Sequence, residues 1–189
     1  MTQNKKDIRP IEPIRDIEKV EEFKRAAGST GRRDYIMVLV GLNTGLRISD
    51  ILQIKISDVR QKDSFYIVEK KTKKTRVVYL QTSMKNEIDE YIRHKNLSDS
   101  EYLFCSHRGS GPIDRIQAWR IIKAAADKCG LKNVGTHTLR KTFGYHHYKQ
   151  YKDVAILQQI FNHSSPSVTL RYIGINEEEI QKNLMNFSL

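Results

Sequence analysis

The stretch THTLRKTFGYHHYKQYKDVAILQQIFNHSSPSVTLRYI, residues 136–173, decides how this chain is read. Its apolar periodicity predicts three helices, at about Thr138 to Lys149, Val154 to Phe161 and, shorter, around Val168 to Ile173. His137 and Arg140 lie three apart, so on a helix they project from one face. His163 closes the second helical pattern, and Tyr172 follows in a Ser/Thr-rich segment. One guanidinium, two imidazoles and a phenol supply a cation for phosphoryl oxygens, proton donors and acceptors, and a hydroxyl nucleophile. Those are the requirements of phosphodiester chemistry without a metal, provided the groups converge.

Upstream, Ile14, Ile17, Val20 and Phe23 predict a helix that ends near Ala27 and Gly28. DYIMVLVGLN, residues 34–43, is apolar almost all round and reads as a buried helix. Thr44 and Gly45 break it, and Arg47 opens a short helix through Gln53. The period then changes. Residues 64–69 and 75–80 are β-branched and aromatic, and flank Lys70-Lys71-Thr72-Lys73-Lys74 as a hairpin would, with a preceding strand expected at Ile54 to Val59. Helices resume at Ser83 to His94 and at Asp114 to Cys129, the latter with Ile116, Trp119, Ile122, Ala126 and Cys129 expected on its inner face. The predicted class is α+β, mainly α-helical with a small three-stranded antiparallel sheet. Residues 1–13 read as an arm or linker remnant, 14–175 as one domain, and 176–189 as an amphipathic tail with Ile180, Leu184 and Phe187 along one side.

Lysine and arginine number 33 against 22 acids, a formal charge of +11 over 189 residues, which favours a polyanion partner, nucleic acid first. The basic residues do not gather on one amphipathic helix, so a membrane surface is not expected. No apolar run approaches ~20 residues, and the polar, charged N-terminus is not a signal peptide. Cys105 and Cys129 have no regular spacing and read as buried thiols of a cytoplasmic protein. His146 and His147, with His137 and His163, raise the question of zinc, but no HExxH or CxxC spacing supports a metal site.

TGLRISDIL (residues 44–52), the lysine-bearing hairpin, HTLRKTF (137–143) and NHSSPSVTLRY (162–172) occur in that order. This ordered set closely resembles the catalytic domain of the tyrosine recombinases, the phage integrase family, from about Ile14 to the C-terminus. The resemblance implies that Arg47 and Arg140 clamp the scissile phosphate, that His137 and His163 are the two site histidines, and that Tyr172 is the nucleophile. Lys71 corresponds to the hairpin lysine, a general acid, although Lys70, Lys73 and Lys74 crowd it. Asp50 matches a supporting acidic position. Phe161-Asn162-His163 departs from the family's Leu-Gly-His, a turn that asparagine tolerates. The implied activity is site-specific strand exchange through a 3′-phosphotyrosyl bond, with no cofactor. The implied partners are double-stranded DNA and further copies of the chain, as a tetramer on the DNA. Lys70, Lys73, Lys74, Arg76, His107, Arg108 and Lys141 are expected to contact DNA. Family members usually carry an N-terminal helical domain that completes a DNA clamp, so weak, salt-sensitive binding is expected of these residues alone.

Two other readings remain. Residues 154–172 have a helix-turn-helix look, as a non-catalytic DNA-binding regulator would require. A type IB topoisomerase would share the nick-and-reseal chemistry without partner exchange. The full set of Arg47, Lys71, His137, Arg140, His163 and Tyr172 argues against the first, and the motif texts and the tail against the second. The tail can pack on its own domain or on a neighbouring protomer.

Overall fold

A computed structural model describes residues 10–106, 109–175 and 184–188. Helix α1 (Ile17–Gly28) starts where the Asp16 carboxylate accepts the Glu18 amide at 2.8 Å. It begins later than the periodicity predicts, because Ile14 is pinned before it. The Ile14 N–H donates to Thr142 Oγ1 at 2.9 Å, and His146 Nε2 lies 2.9 Å from the Ile14 carbonyl. Helix α2 (Arg32–Thr44) is buried over the consecutive residues Ile36 to Val40, as its all-round apolar pattern predicts. It is the centre of the main core, packing against α1, α5 (Thr82–Lys95) and α7 (Thr136–Tyr151). Gly41 permits the close α2–α7 approach, since a Cβ there would stand 2.6 Å from Leu139 Cδ1.

After α2 the chain turns at Gly45, φ +61°, and makes two four-residue helices, α3 (Ile48–Ile51) and α4 (Ile56–Val59). Strands β1 (Ser64–Val68) and β2 (Thr75–Tyr79) pair antiparallel with Ser64 opposite Tyr79 and Val68 opposite Thr75. Among the described residues the sheet has two strands, not the expected three. The segment Ile54–Val59 is helical at α4: the Asp58 carboxylate accepts the Lys55 N–H at 2.8 Å and the Arg60 N–H bonds the Ile56 carbonyl at 3.0 Å. What suggests a strand there is the apolar Ile54, Ile56 and Val59, all buried. Among the described residues its one ladder contact is an isolated bridge from Lys55 to Tyr102.

Helix α6 (Arg115–Lys128) starts at Asp114, whose carboxylate accepts the Gln117 N–H at 2.6 Å. Its buried stripe is Ala118, Ile122, Ala125 and Ala126, three alanines and one isoleucine, and it packs on α1. Ile116 and Trp119, expected inside, fall off that stripe and are exposed. Cys105 and Cys129 are half-buried free thiols rather than buried ones.

The C-terminal part has its own small core. Tyr145 of α7, Leu157 and Phe161 of α8 (Val154–Phe161), and Ile173 and Ile175 beyond α9 (Pro166–Tyr172) are buried together. Gly144 makes room for it, because a Cβ there would meet Ile173 and the Phe161 ring at 2.6–2.7 Å. Helix α9 starts at Ser165, whose Oγ accepts the Val168 N–H at 3.3 Å, with Pro166 in the first turn. In the tail, Leu184 and Phe187 are exposed, while Ile180 lies outside the described residues.

Candidate active site

Five of the six residues assigned to the site from sequence surround one point between α3, α7 and the small C-terminal core. Arg140, on the inner face of α7, is 2 % exposed. One of its guanidinium nitrogens donates to the Gly45 carbonyl and another to the Phe161 carbonyl at 3.0 Å, with the Phe161 ring centroid 4.3 Å away. Burial pulls its pKa down to about 10, with Arg47 and Arg76 adding repulsion, so it stays charged at neutral pH. Arg47 is the cap residue of α3, extended (φ −73°, ψ 147°) after the Gly45 turn, and its guanidinium is directed to Glu69, with Nη1 2.7 Å from Oε2.

Tyr172, the last residue of α9, points back into this cluster. Its hydroxyl is 3.2 Å from His137 Nδ1 and lies in the field of the Arg140 and Arg47 guanidiniums. Its ring meets those of His163 and Phe161 edge-on at 5.0 and 5.5 Å. Burial raises the phenol pKa above 10 even though Arg140 and Arg47 favour the phenolate, so the resting group is a neutral hydroxyl. Both histidines are shifted the other way. Desolvation, then the charges of Arg140 and its neighbours, push His137 and His163 below 6.5, which leaves neutral imidazoles able to accept a proton at pH 7. His163 is oriented by Thr169, with Nδ1 3.1 Å from Oγ1. The preceding Asn162 caps α8 at φ 52°, the left-handed conformation required of the residue that replaces glycine.

The sixth residue, Lys71, is exposed on the hairpin turn with no hydrogen bond or ion pair among the described residues. The turn around it is held. Lys70 N donates to Asp50 Oδ1 at 3.0 Å, and Lys74 Nζ to Asn162 Oδ1 at 2.8 Å, linking the hairpin to the residue before His163. Asp50, 1 % exposed, thus supports the hairpin rather than Arg47, and its Oδ2 has no hydrogen-bond partner.

Two further cations expected on DNA make contacts within the domain. Arg76 is half-buried and ties β2 to the domain through the Thr44 carbonyl at 2.6 Å and the Ile160 carbonyl at 3.3 Å. Lys141 places its ammonium 5.2 Å from the Tyr172 ring centroid. Lys70, Lys73 and Lys74 are exposed on the turn, and His107 and Arg108 lie outside the described residues. Elsewhere His147 packs between Phe143 and Tyr151. Glu69 and Thr72 escape the sequence reading, yet Glu69 bonds both Arg47 and Thr72. The available signal was alternation: Phe65, Ile67 and Glu69 share the inward face of the hairpin, so an acid there faces the domain.

The arrangement can bind an anion between Arg47 and Arg140, take a proton from Tyr172 through a neutral imidazole, and offer lysines from the turn. Residues 15–179 match the profile described as "Phage integrase family". A probable integrase/recombinase of Bacillus subtilis, YoeC, is 52 % identical over 168 residues, covering 89 % of this chain and 92 % of its own. Tyrosine recombinase XerA of Pyrococcus furiosus is 31 % identical over 79 % of this chain, which spans only 53 % of XerA's length. A XerA recombinase crystal structure superposes with a TM-score of 0.77 at 26 % identity, over 96 % of this chain and 68 % of that one. The catalytic domain of bacteriophage HP1 integrase shares the fold at a TM-score of 0.62 and 18 % identity, over 93 % of this chain and 95 % of its own. With motif order, fold and side-chain geometry in agreement, the chain belongs to the phage integrase family, the tyrosine recombinases that break and rejoin DNA.

Proposed function

We propose that this chain cleaves and rejoins DNA at a specific site by in-line attack of the Tyr172 oxygen on a backbone phosphorus. The P–O bond to tyrosine forms as the bond to the 5′ oxygen breaks, giving a 3′-phosphotyrosyl intermediate. The phenol proton passes to a site histidine, with His137 nearest, and Lys71 protonates the departing 5′ oxygen. Arg47 and Arg140 neutralise the charge that gathers on the non-bridging oxygens, a role in which loss of one donor typically lowers the rate ~10²–10³-fold. Energy is conserved in the phosphotyrosyl bond, so resealing by the reverse attack needs no nucleotide cofactor. The observation that carries this reading is the Tyr172 hydroxyl, 3.2 Å from His137 Nδ1 of its own chain and held in the field of Arg140 and Arg47. A groove-reading regulator has no use for a tyrosine turned inward in this way.

Lys70, Lys73 and Lys74 are assigned to the DNA backbone along with the charge of +11, and His107 and Arg108 to the same partner. Crystal structures of a XerH recombinase and of a lambda integrase dimer contain their recombination-site DNA. By analogy this chain works in the cytoplasm as an oligomer on DNA, a tetramer during exchange. The tail that includes Leu184 and Phe187 docks on a neighbouring protomer. The test is covalent trapping on a nicked duplex carrying the sequence this chain selects from a randomised duplex pool. Wild type should form a protein–DNA adduct and Tyr172→Phe none. An adduct with Tyr172→Phe refutes the assignment. Strand transfer between two labelled duplexes then separates recombination from nicking and closing.

A further inference from the structure

Glu69 is an acid in a place where phosphate binding would gain from its absence. It is 3 % exposed, just beyond β1, among Arg47, Arg76 and Arg140. A carboxylate so close to Arg47 competes with any incoming phosphate, so its presence calls for a compensating role. Geometry supplies one. The single oxygen Oε2 accepts from Arg47 Nη1 at 2.7 Å and from Thr72 Oγ1 at 2.8 Å. Arg47 opens α3, whereas Thr72 sits in the hairpin turn immediately after Lys71. The Glu69 backbone closes the same turn, its N–H bonding the Lys74 carbonyl at 3.0 Å and its carbonyl accepting the Lys73 N–H at 2.9 Å.

We propose that Glu69 is a positioning residue for strand cleavage, joining the Arg47 side of the phosphate clamp to the turn that presents Lys71. Arg47 is aimed by the charged half of the bridge, and the turn is set by the Thr72 half. The inference rests on the recombinase reading above, with Lys71 as the proton donor to the leaving oxygen. Burial alone would raise the Glu69 pKa, but the Thr72 and Arg47 hydrogen bonds outweigh it and hold the carboxyl below 4.5, so the bridge is ionised at neutral pH.

The two halves separate by leaving group. A 5′-bridging phosphorothiolate releases a thiolate, stable without a proton, so the reaction no longer needs a placed acid. On the nicked duplex described above, Thr72→Val should slow adduct formation ~10-fold or more with the natural phosphodiester. With the sulfur-bridged strand it should come within about 3-fold of wild type, since the acid contributes nothing there. Thr72→Ser, which keeps the hydroxyl, should restore the phosphodiester rate. Glu69→Gln should slow both substrates, the sulfur one less, because Arg47 loses its partner as well. Wild-type rates for Thr72→Val on both substrates, or equal slowing on both, would overturn the positioning role. No adduct from the wild type on either substrate would overturn the recombinase reading itself.

Discussion

Replacing Arg140 by lysine separates the geometry of the clamp from its charge. The guanidinium gives one nitrogen to the Gly45 carbonyl and another to the Phe161 carbonyl, and stacks over the Phe161 ring at 4.3 Å. A lysine ammonium, a point donor on a flexible stem, satisfies one of those carbonyls and leaves the other unpaired in a site where residue 140 is 2 % exposed. A buried unpaired carbonyl costs about 1–3 kcal/mol, and loss of the stacked cation about 0.5–1 kcal/mol. The expected destabilisation is therefore about 1.5–4 kcal/mol. At a urea dependence of about 2 kcal/mol per molar, the unfolding midpoint falls by about 0.8–2 M. Burial that takes the arginine down to about 10 carries a lysine, with its lower starting value, further toward neutrality, which weakens the positive charge as well. Adduct formation at saturating DNA should fall ~10²–10³-fold. Urea unfolding followed by circular dichroism reads the first effect and single-turnover trapping the second. A midpoint shift below about 0.3 M would show that the two carbonyls do not hold Arg140, and the account of the clamp would fail with it.

The depressed pKa values of His137 and His163 imply that cleavage persists at pH 6.5 and is lost only below it, read from single-turnover rates between pH 5 and 8. An acid limb centred above pH 6.5 contradicts the neutral-imidazole base. The same two groups bind protons more readily unfolded than folded, so stability should decline as pH falls through their unfolded value of ~6.5, read as a falling midpoint in urea. Gly45→Ala puts a Cβ 2.5 Å from Phe143 Cδ1 at φ +61°, a backbone where L-residues pay ~1 kcal/mol before the clash. With overpacking of ~1–3 kcal/mol it should also disturb the Gly45 carbonyl that holds Arg140, and lower both midpoint and cleavage rate. Asn162→Gly keeps the left-handed turn but removes the acceptor of Lys74, so stability should change by less than about 1 kcal/mol while limited proteolysis at the lysine turn accelerates.

Four helices were legible because their punctuation is local. Asp16, Asp114, Asp153 and Ser165 each cap the helix that follows them, and α8 runs over the same residues the periodicity predicts. Arg140 was legible as a site residue from its spacing to His137, but not its near-total burial, which arises from carbonyls 95 and 21 residues away in sequence. Ile54–Val59 misled because a buried two-sided apolar pattern fits a strand and a short capped helix equally, and the Asp58 cap decided between them. Trp119 misled because the helical pattern alone does not fix which stripe is buried: α6 buries Ala118, Ile122, Ala125 and Ala126 and leaves Trp119 exposed. The internal bonds of Arg76 were not legible in the sequence. Its partners, the Thr44 and Ile160 carbonyls, are distant in sequence and close only after folding.

The claim on which all of this depends is that Tyr172 attacks phosphorus. The direct measurement is to trap the adduct on the nicked duplex, digest both components, and locate the modified residue by mass spectrometry. The account predicts one nucleotide-bearing peptide, with the phosphodiester linkage on Tyr172 and the 3′ end of the cleaved strand attached. A linkage on Tyr145, Tyr148 or any other residue, or a 5′ attachment, would contradict it.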